Sequence, residues 1–328
     1  MSTQNRRTMS TSFIQNLDFI FTKEFQNIDI DIVTKELQDK GYFAFKNAFT
    51  KLAIDSIEYD ATKSKLNLNK NEISGVYAEK QYYLTNLLSV SQTFYDFATS
   101  KFVFEVCKKY LGNKFRLKAL RYYETYGGHH MQWHTDNKTD RGFAHIPGII
   151  FIFYISDVED GQFQYIEGSH LWSGEKAYSD YSDKFIDKNY KEKIKDFKYP
   201  SGSLIIYNTY GIHRAKPVLY NEFTRKSVFF QVDSDIDNSE PIILNTKFIT
   251  ILNNDLQMFL GFGQPSNYEI FPPTSINSLP LNKPLFKIFF KYFLVRIMRN
   301  VYNLFPNQLK GIIKKIIRYK FKPTQHPL

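Results

Sequence analysis

Gln132-Trp133-His134-Thr135-Asp136 contains a histidine and an aspartate that are separated by a single residue. Residues i and i+2 of an extended segment point to the same side, so His134 and Asp136 can reach one metal ion together. Imidazole nitrogen and carboxylate oxygen are both ligands that Fe(II) accepts. A His-x-Asp sequence alone is a weak indication, because such pairs occur by chance in a chain of 328 residues. The interpretation therefore depends on the segments that follow.

Two later segments complete a pattern for an iron site. Gly211-Ile212-His213-Arg214 supplies a second histidine, and Arg225-Lys226-Ser227 follows twelve residues after His213. Two imidazoles and one carboxylate hold Fe(II) on one face and leave positions open for oxygen and a cosubstrate. An arginine that begins the next strand can pair with a dicarboxylate that chelates the metal, and a serine two residues later shares its strand face. The predicted metal ligands are His134, Asp136 and His213, and the predicted cosubstrate contacts are Arg225 and Ser227.

Gly161-Gln-Phe-Gln-Tyr-Ile-Glu-Gly168-Ser169-His170 resembles the G-x-x-x-x-x-x-G-S-H segment of the phytanoyl-CoA dioxygenase family. Gly202-Ser-Leu-Ile-Ile-Tyr207 is similar to the strand that leads to the second histidine of that family. Residues 39–48 resemble its opening helix end and first strand, and residues 103–112 resemble its helix before the iron-binding half. The resemblance covers roughly residues 28 to 235.

This resemblance implies a mainly β (α+β) fold, a double-stranded β-helix of the jelly-roll or cupin type with flanking N-terminal helices. It implies Fe(II) and 2-oxoglutarate as cofactors, used with O₂ to hydroxylate a substrate, or otherwise oxidise one of its C–H bonds, with release of succinate and carbon dioxide. By the resemblance His134, Asp136 and His213 match the metal ligands, and Arg225 matches the 2-oxoglutarate anchor. Halogenating relatives carry Gly or Ala in place of the carboxylate, so Asp136 disfavours halogenation. The substrates of the family are too varied to carry over.

Composition sets bounds on the class of protein. A chain of 328 residues with 43% hydrophobic and 17% aromatic residues is long enough for one large β domain with additions and can bury a substantial core. The single Cys107 excludes an internal disulfide framework and suits a reducing compartment. Gln15, Asn16 and Asp18 interrupt the apolar residues near the N-terminus, so no signal peptide is evident and a cytoplasmic location is expected.

The net charge of +10 lies in the C-terminal segment. From residue 270 onward there are eleven Lys or Arg residues and no Asp or Glu, whereas residues 1–269 hold 32 basic and 33 acidic residues. Five prolines interrupt residues 264–284 and indicate a linker. We therefore predict an oxygenase domain over residues 1–270, with a core over about 28–235, and a basic helical tail over residues 271–328.

Residues 285–322 have the pattern of two basic amphipathic helices, before and after Pro306. They are too short and too charged to span a bilayer, so the pattern predicts a tail that lies on an anionic membrane surface at its cytoplasmic face. That location favours a small organic or lipid-linked substrate. The alternative is that the aromatic face packs on the barrel or on a sister subunit. Nucleic-acid binding is disfavoured, because binding phosphates does not require a phenylalanine-rich face. A cation-free sector of roughly 140° in the first helix contains Phe286, Phe289, Phe290, Phe293, Leu294, Ile297 and Val301.

Hydrophobic periodicity and capping residues predict the remaining elements. Predicted helices cover residues 31–40, 50–63 and 91–110. Predicted strands cover residues 42–49, 115–126, 146–155, 163–166, 204–207 and 226–232. Residues 64–80 are predicted to form an irregular loop over the site mouth, residues 173–196 a solvated helical insertion, and residues 233–240 an acidic loop.

Other interpretations of the same residues stay open. His130 and His134 have the spacing of zinc ligands on a helix, with His129 nearby, which would suit a zinc cupin that acts as a hydrolase or isomerase. Gly127 and Gly128 argue against a helix there. A noncatalytic scaffold or peripheral-membrane protein on the same barrel is the remaining alternative, and an intact set of metal ligands argues against it.

Several further side chains are candidates for the site or its surroundings. His170 is predicted to fix a turn near the mouth, with substrate contact as the alternative. Lys118 and Arg121 are alternative anchors for a cosubstrate carboxylate. Residues predicted to line the cavity or the barrel core are Tyr123, Trp133 and Tyr154.

Overall fold

The computed structural model describes residues 17–71, 75–78, 81–129, 131–136, 148–172, 181–220 and 223–266, with scattered residues between 290 and 309. The helices named within these residues are α1 (Leu17–Ile20), α2 (Lys23–Gln26), α3 (Ile30–Asp39), α4 (Lys51–Asn71), α5 (Leu87–Val90), α6 (Gln92–Ala98), α7 (Lys101–Leu111), α8 (Asp183–Tyr190) and α9 (Asn254–Leu260). The strands are β1 (Tyr42–Phe45), β2 (Gly75–Ala78), β3 (Gln81–Leu84), β4 (Arg116–Tyr126), β5 (Gly148–Tyr154), β6 (Phe163–Ile166), β7 (Ile194–Phe197), β8 (Leu204–Asn208), β9 (His213–Ala215) and β10 (Thr224–Asp233).

The strands form two antiparallel sheets with jelly-roll connections. The larger sheet has the order β1-β8-β5-β10-β4-β3-β2, and the smaller has the order β7-β6-β9. A bridge between His134 and His213 adds the His134 segment to the smaller sheet beside β9. Numbered along the chain from β4 to β10, these core segments have the order 1-8-3-6 in one sheet and 2-7-4-5 in the other. This is the strand order of a jelly roll, so the predicted double-stranded β-helix is confirmed.

Side chains alternate across the central strands, which explains why β5 is apolar throughout. Its odd-numbered residues pack against the helices, and its even-numbered residues face the space between the two sheets. All seven residues of β5 are buried, because both faces of the strand are covered. In β8 the same alternation turns Tyr207 toward the space between the sheets. Every second side chain of β5 and β8 therefore points into the interior of the barrel.

Helices cover the outer face of the larger sheet with an aromatic layer. Phe49, Phe94 and Phe97 lie around Phe153 of β5, with ring centroids 4.7, 6.2 and 5.4 Å from its ring. Aromatic contacts of this kind stabilise a core beyond the burial of their area. The larger sheet, which carries Arg225 and Ser227 on β10, is thus packed tightly on the side that faces away from the barrel interior.

The turn between α3 and β1 is fixed from across the molecule. Gly41 has a φ of 85°, and a Cβ at this position would lie 2.5 Å from Nδ1 of His170. The His170 Nε2 lies 3.0 Å from the carbonyl oxygen of Gln38, and the Gly168 N–H donates to the carbonyl oxygen of Lys40 at 2.8 Å. His170 therefore fastens the turn after β6 to the end of α3, in agreement with its predicted role.

The predicted loop over residues 64–80 is wrong in most of its length. The hydroxyl of Thr50 caps α4 by accepting from the Ala53 N–H at 3.1 Å, as predicted, but the helix continues to Asn71. Residues 75–78 then form β2, which pairs with β3. A polar sequence is compatible with an exposed helix as well as with a loop, so its composition alone could not separate the two. Residues 72–74 and 79–80 lie outside the described residues.

Two predicted elements have different limits in the structure. The helix predicted over residues 91–110 is two helices, α6 and α7, because Ser100 begins a new helix by accepting from the Val103 N–H at 3.4 Å. Side chains of serine and threonine compete for backbone groups in this way and interrupt helices. The strand predicted over residues 42–49 ends at Phe45.

Two polar segments were predicted as solvated but contribute to the packed structure. Within residues 173–196, the segment from 194 onward belongs to β7, which pairs with β6, and Ile186 of α8 is buried. Residues 173–180 lie outside the described residues. In the predicted acidic loop over residues 233–240, Asp233 and Glu240 are buried. Ion pairs with Lys118 and Arg121 compensate these two charges.

The packed body extends beyond the core predicted over residues 28–235. Phe21 and Phe25 are buried near the N-terminal end, and Phe259 of α9 is buried against Phe104 and Phe115. The proline-containing linker from residue 267 onward and most of the tail lie outside the described residues. Across the described parts of the chain, none of the helices has the length and apolar composition that crossing a membrane requires.

Candidate metal and cosubstrate site

Backbone pairing places the two predicted histidine ligands directly opposite each other. The His134 N–H donates to the His213 carbonyl oxygen at 3.0 Å, and the His213 N–H donates to the His134 carbonyl oxygen at 2.9 Å. Residues that exchange both hydrogen bonds in this way project their side chains to the same face of the sheet. The two imidazole rings accordingly lie 4.4 Å apart, centroid to centroid. The Asp136 N–H donates to the carbonyl oxygen of Thr209 at 3.1 Å, which holds the third residue of the group.

In each histidine a backbone carbonyl oxygen determines which ring nitrogen carries the proton. The Nδ1 of His134 lies 2.7 Å from the carbonyl oxygen of Gln132, and the Nδ1 of His213 lies 2.9 Å from that of Gly211. A carbonyl oxygen only accepts, so each Nδ1 carries the hydrogen and each Nε2 of a neutral ring presents a lone pair. This is the tautomer that a metal-binding histidine uses, with its second nitrogen oriented by a backbone carbonyl.

The carboxylate of Asp136 lies against both Nε2 atoms. Its oxygens are 3.3 Å from Nε2 of His213 and 3.8 Å from Nε2 of His134, and the Tyr207 hydroxyl donates to it at 3.0 Å. Burial opposes ionisation of Asp136, but the positive charge of the two histidines when they are protonated and the Tyr207 hydroxyl outweigh burial, so the pKa of Asp136 lies below the ordinary value. Tyr207 stays protonated, because burial and the Asp136 charge raise its pKa well above the ordinary value.

These three side chains form a group that requires a cation. Their ligand atoms all lie within 4.8 Å of one another, and no other such group occurs among the described residues. Two lone-pair nitrogens and a carboxylate facing each other repel unless a proton or a metal ion lies between them. Two imidazoles and one carboxylate on one side of a cavity are the donor set of non-haem Fe(II) sites. The chemistry of the donors therefore fits Fe(II).

The group opens into a cavity between the two sheets with an empty volume of about 670 Å³, including its open mouth. Most of the lining side chains are aromatic or apolar, and the polar ones lie at a few positions. The lining residues are Gln81, Tyr83, Arg121, Tyr123, Met131, His134, Asp136, Ile152, Tyr154, Phe163, Tyr207, His213, Ala215, Arg225, Ser227 and Phe229.

Arg225 is a buried cation whose hydrogen bonds go to neutral groups. Its guanidinium donates to the carbonyl oxygen of Gly161 and to the hydroxyl of Thr125, and its Nε has no hydrogen-bond partner among the described residues. Within the described parts of the chain no carboxylate forms an ion pair with it, although the residue is only 4% exposed. A buried charge without a counterion is costly, so this cation is suited to receive an anion from the cavity.

Ser227 shares the face of β10 that Arg225 uses. Both residues are buried and line the cavity, because they are two residues apart on the same strand. Ser227 hydrogen-bonds Tyr123 of the neighbouring strand β4. Burial raises the pKa of Tyr123 above its ordinary value, although Arg225 and Arg121 act in the opposite direction, so this hydroxyl remains a neutral donor.

The alternative anchors for a cosubstrate are occupied by protein carboxylates. The Lys118 ammonium lies 2.5 Å from Asp233, and the Arg121 guanidinium pairs with Glu240. Arg121 also lines the cavity, but its charge is compensated inside the protein. Arg225 is therefore better suited than either residue to bind a free carboxylate.

The zinc interpretation is not supported by the backbone. Residues 131–136 contain no helix, and His134 lies in a β-bridge, so the helical spacing that His130 and His134 would need is absent there. His129 is buried outside the group of three ligands. His130 itself lies outside the described residues.

The three aromatic residues that were predicted to line the cavity or the barrel core lie in two different places. Tyr123 and Tyr154 line the cavity, and the Tyr154 hydroxyl donates to the carbonyl oxygen of Phe197 at 3.1 Å. Trp133 does not line the cavity. It is buried on the opposite side, where the guanidinium of Arg214 lies 4.3 Å from its ring.

Several cavity residues were not singled out from the sequence. Gln81 and Tyr83 come from β3, which begins directly after the segment predicted as a loop and was not predicted as a strand. The alternation of aromatic residues in Gln-Tyr-Tyr-Leu was a local signal for this strand. Tyr207 and Phe163 lie on predicted strands, but only the packing of the two sheets brings their rings within 4.7 and 5.5 Å of His213.

Comparison with known proteins gives similarity of structure only. The sequence matches no family model and no curated protein. The structure of HygX from Streptomyces hygroscopicus with nickel and 2-oxoglutarate bound aligns at a TM-score of 0.47 and 16% identity, over 61% of this chain and 85% of HygX. The structure of HygX with nickel, 2-oxoglutarate and hygromycin B bound aligns at 0.46 and 15%, over 61% and 86%.

A third solved structure is similar at the same level. The non-heme alpha ketoglutarate dependent carbocyclase SnoK from nogalamycin biosynthesis aligns at a TM-score of 0.48 and 12% identity, over 64% of this chain and 85% of SnoK. Likeness at these values does not assign an activity to this chain. Its chemistry has to follow from its own residues.

Proposed function

We propose that this chain is an Fe(II)- and 2-oxoglutarate-dependent oxygenase of the phytanoyl-CoA dioxygenase family. The observation that carries the proposal is the convergence of His134, Asp136 and His213 in one cavity with Arg225, a buried cation that forms no ion pair with a carboxylate of the described residues. The reaction proposed is hydroxylation, or another oxidation of a C–H bond, in a small organic or lipid-linked substrate.

The three ligand residues hold the metal through preset side-chain orientations. Backbone carbonyls keep the Nε2 lone pairs of His134 and His213 directed at the same point. Tyr207 donates to Asp136 and so fixes the carboxylate that completes the set. The Asp136 oxygens lie 3.3 and 3.8 Å from these Nε2 atoms, so the three side chains would hold one metal ion between them.

Arg225 binds the far carboxylate of 2-oxoglutarate in this proposal. A planar guanidinium pairs with a carboxylate in a bidentate fork, and the apolar surroundings strengthen that pairing. Ser227 lies on the same strand face and donates to the same carboxylate. When bound, Fe(II) with 2-oxoglutarate and O₂ supplies the oxidant, and succinate and carbon dioxide are released.

The remaining lining residues position the substrate and exclude water. Aromatic side chains such as Tyr154, Phe163 and Phe229 surround the cavity, so they favour an apolar part of the substrate next to the metal ligands. Gln81 and Tyr83 of β3 lie at the same cavity and offer polar contacts for orientation. Placement of one C–H bond near the oxidant is the protein's contribution to such a reaction.

The decisive experiment is the anaerobic addition of Fe(II) and 2-oxoglutarate to the purified protein. We expect a visible charge-transfer band that requires both components and is absent from Asp136→Ala. Admission of O₂ should then release succinate. The matched control is Asp187→Ala, which removes an exposed carboxylate from α8.

Two results would overturn the proposal in different ways. If no band forms and 2-oxoglutarate does not bind, the barrel serves as a noncatalytic scaffold. If Zn²⁺ supports turnover that needs neither O₂ nor 2-oxoglutarate, the chain is a metal-dependent hydrolase or isomerase.

A further inference from the structure

A row of polar side chains crosses the larger sheet at the level of Arg225. The register of the sheet places Thr125 of β4 opposite Gln81 of β3 on one side and opposite Arg225 of β10 on the other. Directly opposed residues of antiparallel strands project their side chains to the same face of the sheet. The row therefore lies on the inner face, where Gln81 and Arg225 both line the cavity.

The hydroxyl of Thr125 receives hydrogen bonds from both of its neighbours in this row. The Gln81 Nε2 donates to the Thr125 Oγ1 at 2.9 Å, and the Arg225 Nη2 donates to the same oxygen at 3.3 Å. Neither nitrogen accepts hydrogen bonds, so both lone pairs of the hydroxyl oxygen are used as acceptors. The Gln81 Oε1 accepts from the Tyr83 hydroxyl, which orients the amide. Thr125 is therefore held as an acceptor for Arg225.

The guanidinium of Arg225 is held from two sides by neutral acceptors. One terminal nitrogen donates to Thr125, and the other donates to the carbonyl oxygen of Gly161. Gln81, Thr125 and Arg225 are all buried, so water does not compete for these hydrogen bonds. The direction of the guanidinium in the cavity thus depends on Thr125, and through Thr125 on Gln81.

The amide of Gln81 gives this support without adding a negative charge. Because the Gln81 and Arg225 nitrogens contact one oxygen, they lie within about 6 Å of each other, a distance at which a carboxylate compensates a cation. Arg121, the other guanidinium that lines the cavity, pairs with Glu240 in this way. An amide at position 81 orients Arg225 and leaves its charge for a ligand.

We propose that Gln81 and Thr125 are positioning residues for the cosubstrate anchor, and that they make the site selective for a keto acid with a second carboxylate. The role rests on the proposed function, in which Arg225 binds the far carboxylate of 2-oxoglutarate. Thr125 fixes the direction of the Arg225 guanidinium. Gln81 holds Thr125 in its role as acceptor and keeps the row neutral.

The test is calorimetric titration of the anaerobic protein, loaded with Fe(II), with two keto acids. 2-Oxoglutarate carries the far carboxylate, whereas 2-oxobutyrate offers the same keto acid end without it. We expect wild type to bind 2-oxoglutarate more tightly, because only this ligand pairs with Arg225.

Gln81→Glu tests the requirement for a neutral row. The new carboxylate competes for Arg225, so 2-oxoglutarate binding should weaken by about tenfold or more, with much less effect on 2-oxobutyrate. The matched control is Gln26→Glu on α2, outside the cavity, where the Gln26 Nε2 donates to the carbonyl oxygen of Phe21 at 2.9 Å. This control should bind both keto acids as wild type does.

Substitutions at Thr125 test the positioning role without a change of charge. Thr125→Val keeps the shape but removes the acceptor, so 2-oxoglutarate binding should weaken by about three- to tenfold. Thr125→Ser keeps the hydroxyl and should restore the affinity. The matched control is Thr99→Val, which removes a buried hydroxyl that donates to the carbonyl oxygen of Tyr95 at 2.8 Å, away from the cavity.

The possible outcomes separate this inference from the proposed function. If wild type binds neither keto acid, the proposed function fails, and the anchor role of Arg225 fails with it. If wild type prefers 2-oxoglutarate, and Gln81→Glu and Thr125→Val keep that preference, only the positioning roles are wrong. An equal loss of affinity for both keto acids would show a general structural role instead. Thermal unfolding identifies variants that fail to fold, and if Gln81→Glu is one of them, the comparison of Thr125→Val with Thr125→Ser still decides.

Discussion

Strands β4 and β10 carry buried cations that differ in how their charges are compensated. Toward one end, Lys118 pairs with Asp233 at 2.5 Å and Arg121 pairs with Glu240, so each cation has its own carboxylate. Toward the other end, Arg225 donates only to a carbonyl oxygen and a hydroxyl. We call Lys118, Asp233, Arg121 and Glu240 the closed charges, and we call Arg225 the open charge.

The difference separates charges that the protein compensates by itself from a cation that faces the cavity. Arg116 of β4 also hydrogen-bonds carbonyl oxygens rather than a carboxylate, but it does not line the cavity. Burial of a charge costs several kcal/mol unless a partner compensates it. The closed charges meet this requirement within the protein. The open charge of Arg225 and the cluster of His134, Asp136 and His213 do not, and both lie at one cavity. Substitutions at the two groups should therefore affect different properties.

The largest effect is expected from Asp136→Ala. Loss of the carboxylate removes one of three proposed metal ligands. Turnover of 2-oxoglutarate should therefore fall by more than about 100-fold, which is the largest effect usually seen when a residue that only orients a metal ligand is lost. The midpoint of thermal unfolding should change little, because the barrel is packed without this side chain. Full activity in this variant would contradict the ligand assignment.

A substitution among the closed charges should act on stability instead. Lys118→Met leaves Asp233 buried without its cation, which should lower the free energy of unfolding by about 3–5 kcal/mol. Denaturant titration measures this change. The affinity of the folded protein for 2-oxoglutarate should stay within a few fold of wild type, and an affinity loss comparable to that of an Arg225 variant would break the distinction between the groups.

Removal of the open charge should show the reverse pattern. Arg225→Met takes away a bidentate partner for a carboxylate, so 2-oxoglutarate binding should weaken by about 2–5 kcal/mol, or tens of fold and more. Its free energy of unfolding should match or exceed that of wild type, since an uncompensated buried charge is lost. Unchanged 2-oxoglutarate affinity would instead point to Arg121, the other guanidinium that lines the cavity, as the anchor.

The smallest effect is expected from Tyr207→Phe. This variant keeps the ring but removes the hydroxyl that donates to Asp136 at 3.0 Å. Loss of such a supporting contact should weaken Fe(II) binding by about tenfold. Titration of the anaerobic protein with Fe(II) measures the affinity. The matched control is Tyr42→Phe, because the Tyr42 hydroxyl donates to Glu167 outside the cavity.

Much of the barrel followed from local patterns in the sequence. The alternation in β4 and the apolar runs of β5 and β8 predict strands because a strand's side chains alternate along its own backbone. His134 and Asp136 share a side for the same reason. The sequence also places Arg225 and Ser227 on one strand face. These properties depend on residues two apart and need no knowledge of distant contacts.

Other features were misjudged because they depend on distant partners. Asp233 and Glu240 look like part of a solvated acidic loop, and they are buried only because Lys118 and Arg121 lie opposite them. The polar residues 194–197 become a strand only because β6 offers a free edge. The β3 strand, which brings Gln81 to the cavity, was not predicted, because its four residues are stabilised as a strand by pairing with β2 and β4.

The sequence by itself determined the strand-forming segments, the candidate ligands and the concentration of positive charge in the tail, because each is a matter of residue type and short spacing. Only the tertiary structure decided that Arg225 reaches the cavity with no ion pair among the described residues, and how the backbone exchange between His134 and His213 aims both rings. The physical reason is that the pairing of buried charges and the direction of these side chains depend on contacts between segments that are far apart in the chain. Those contacts exist only once the sheets and helices have packed.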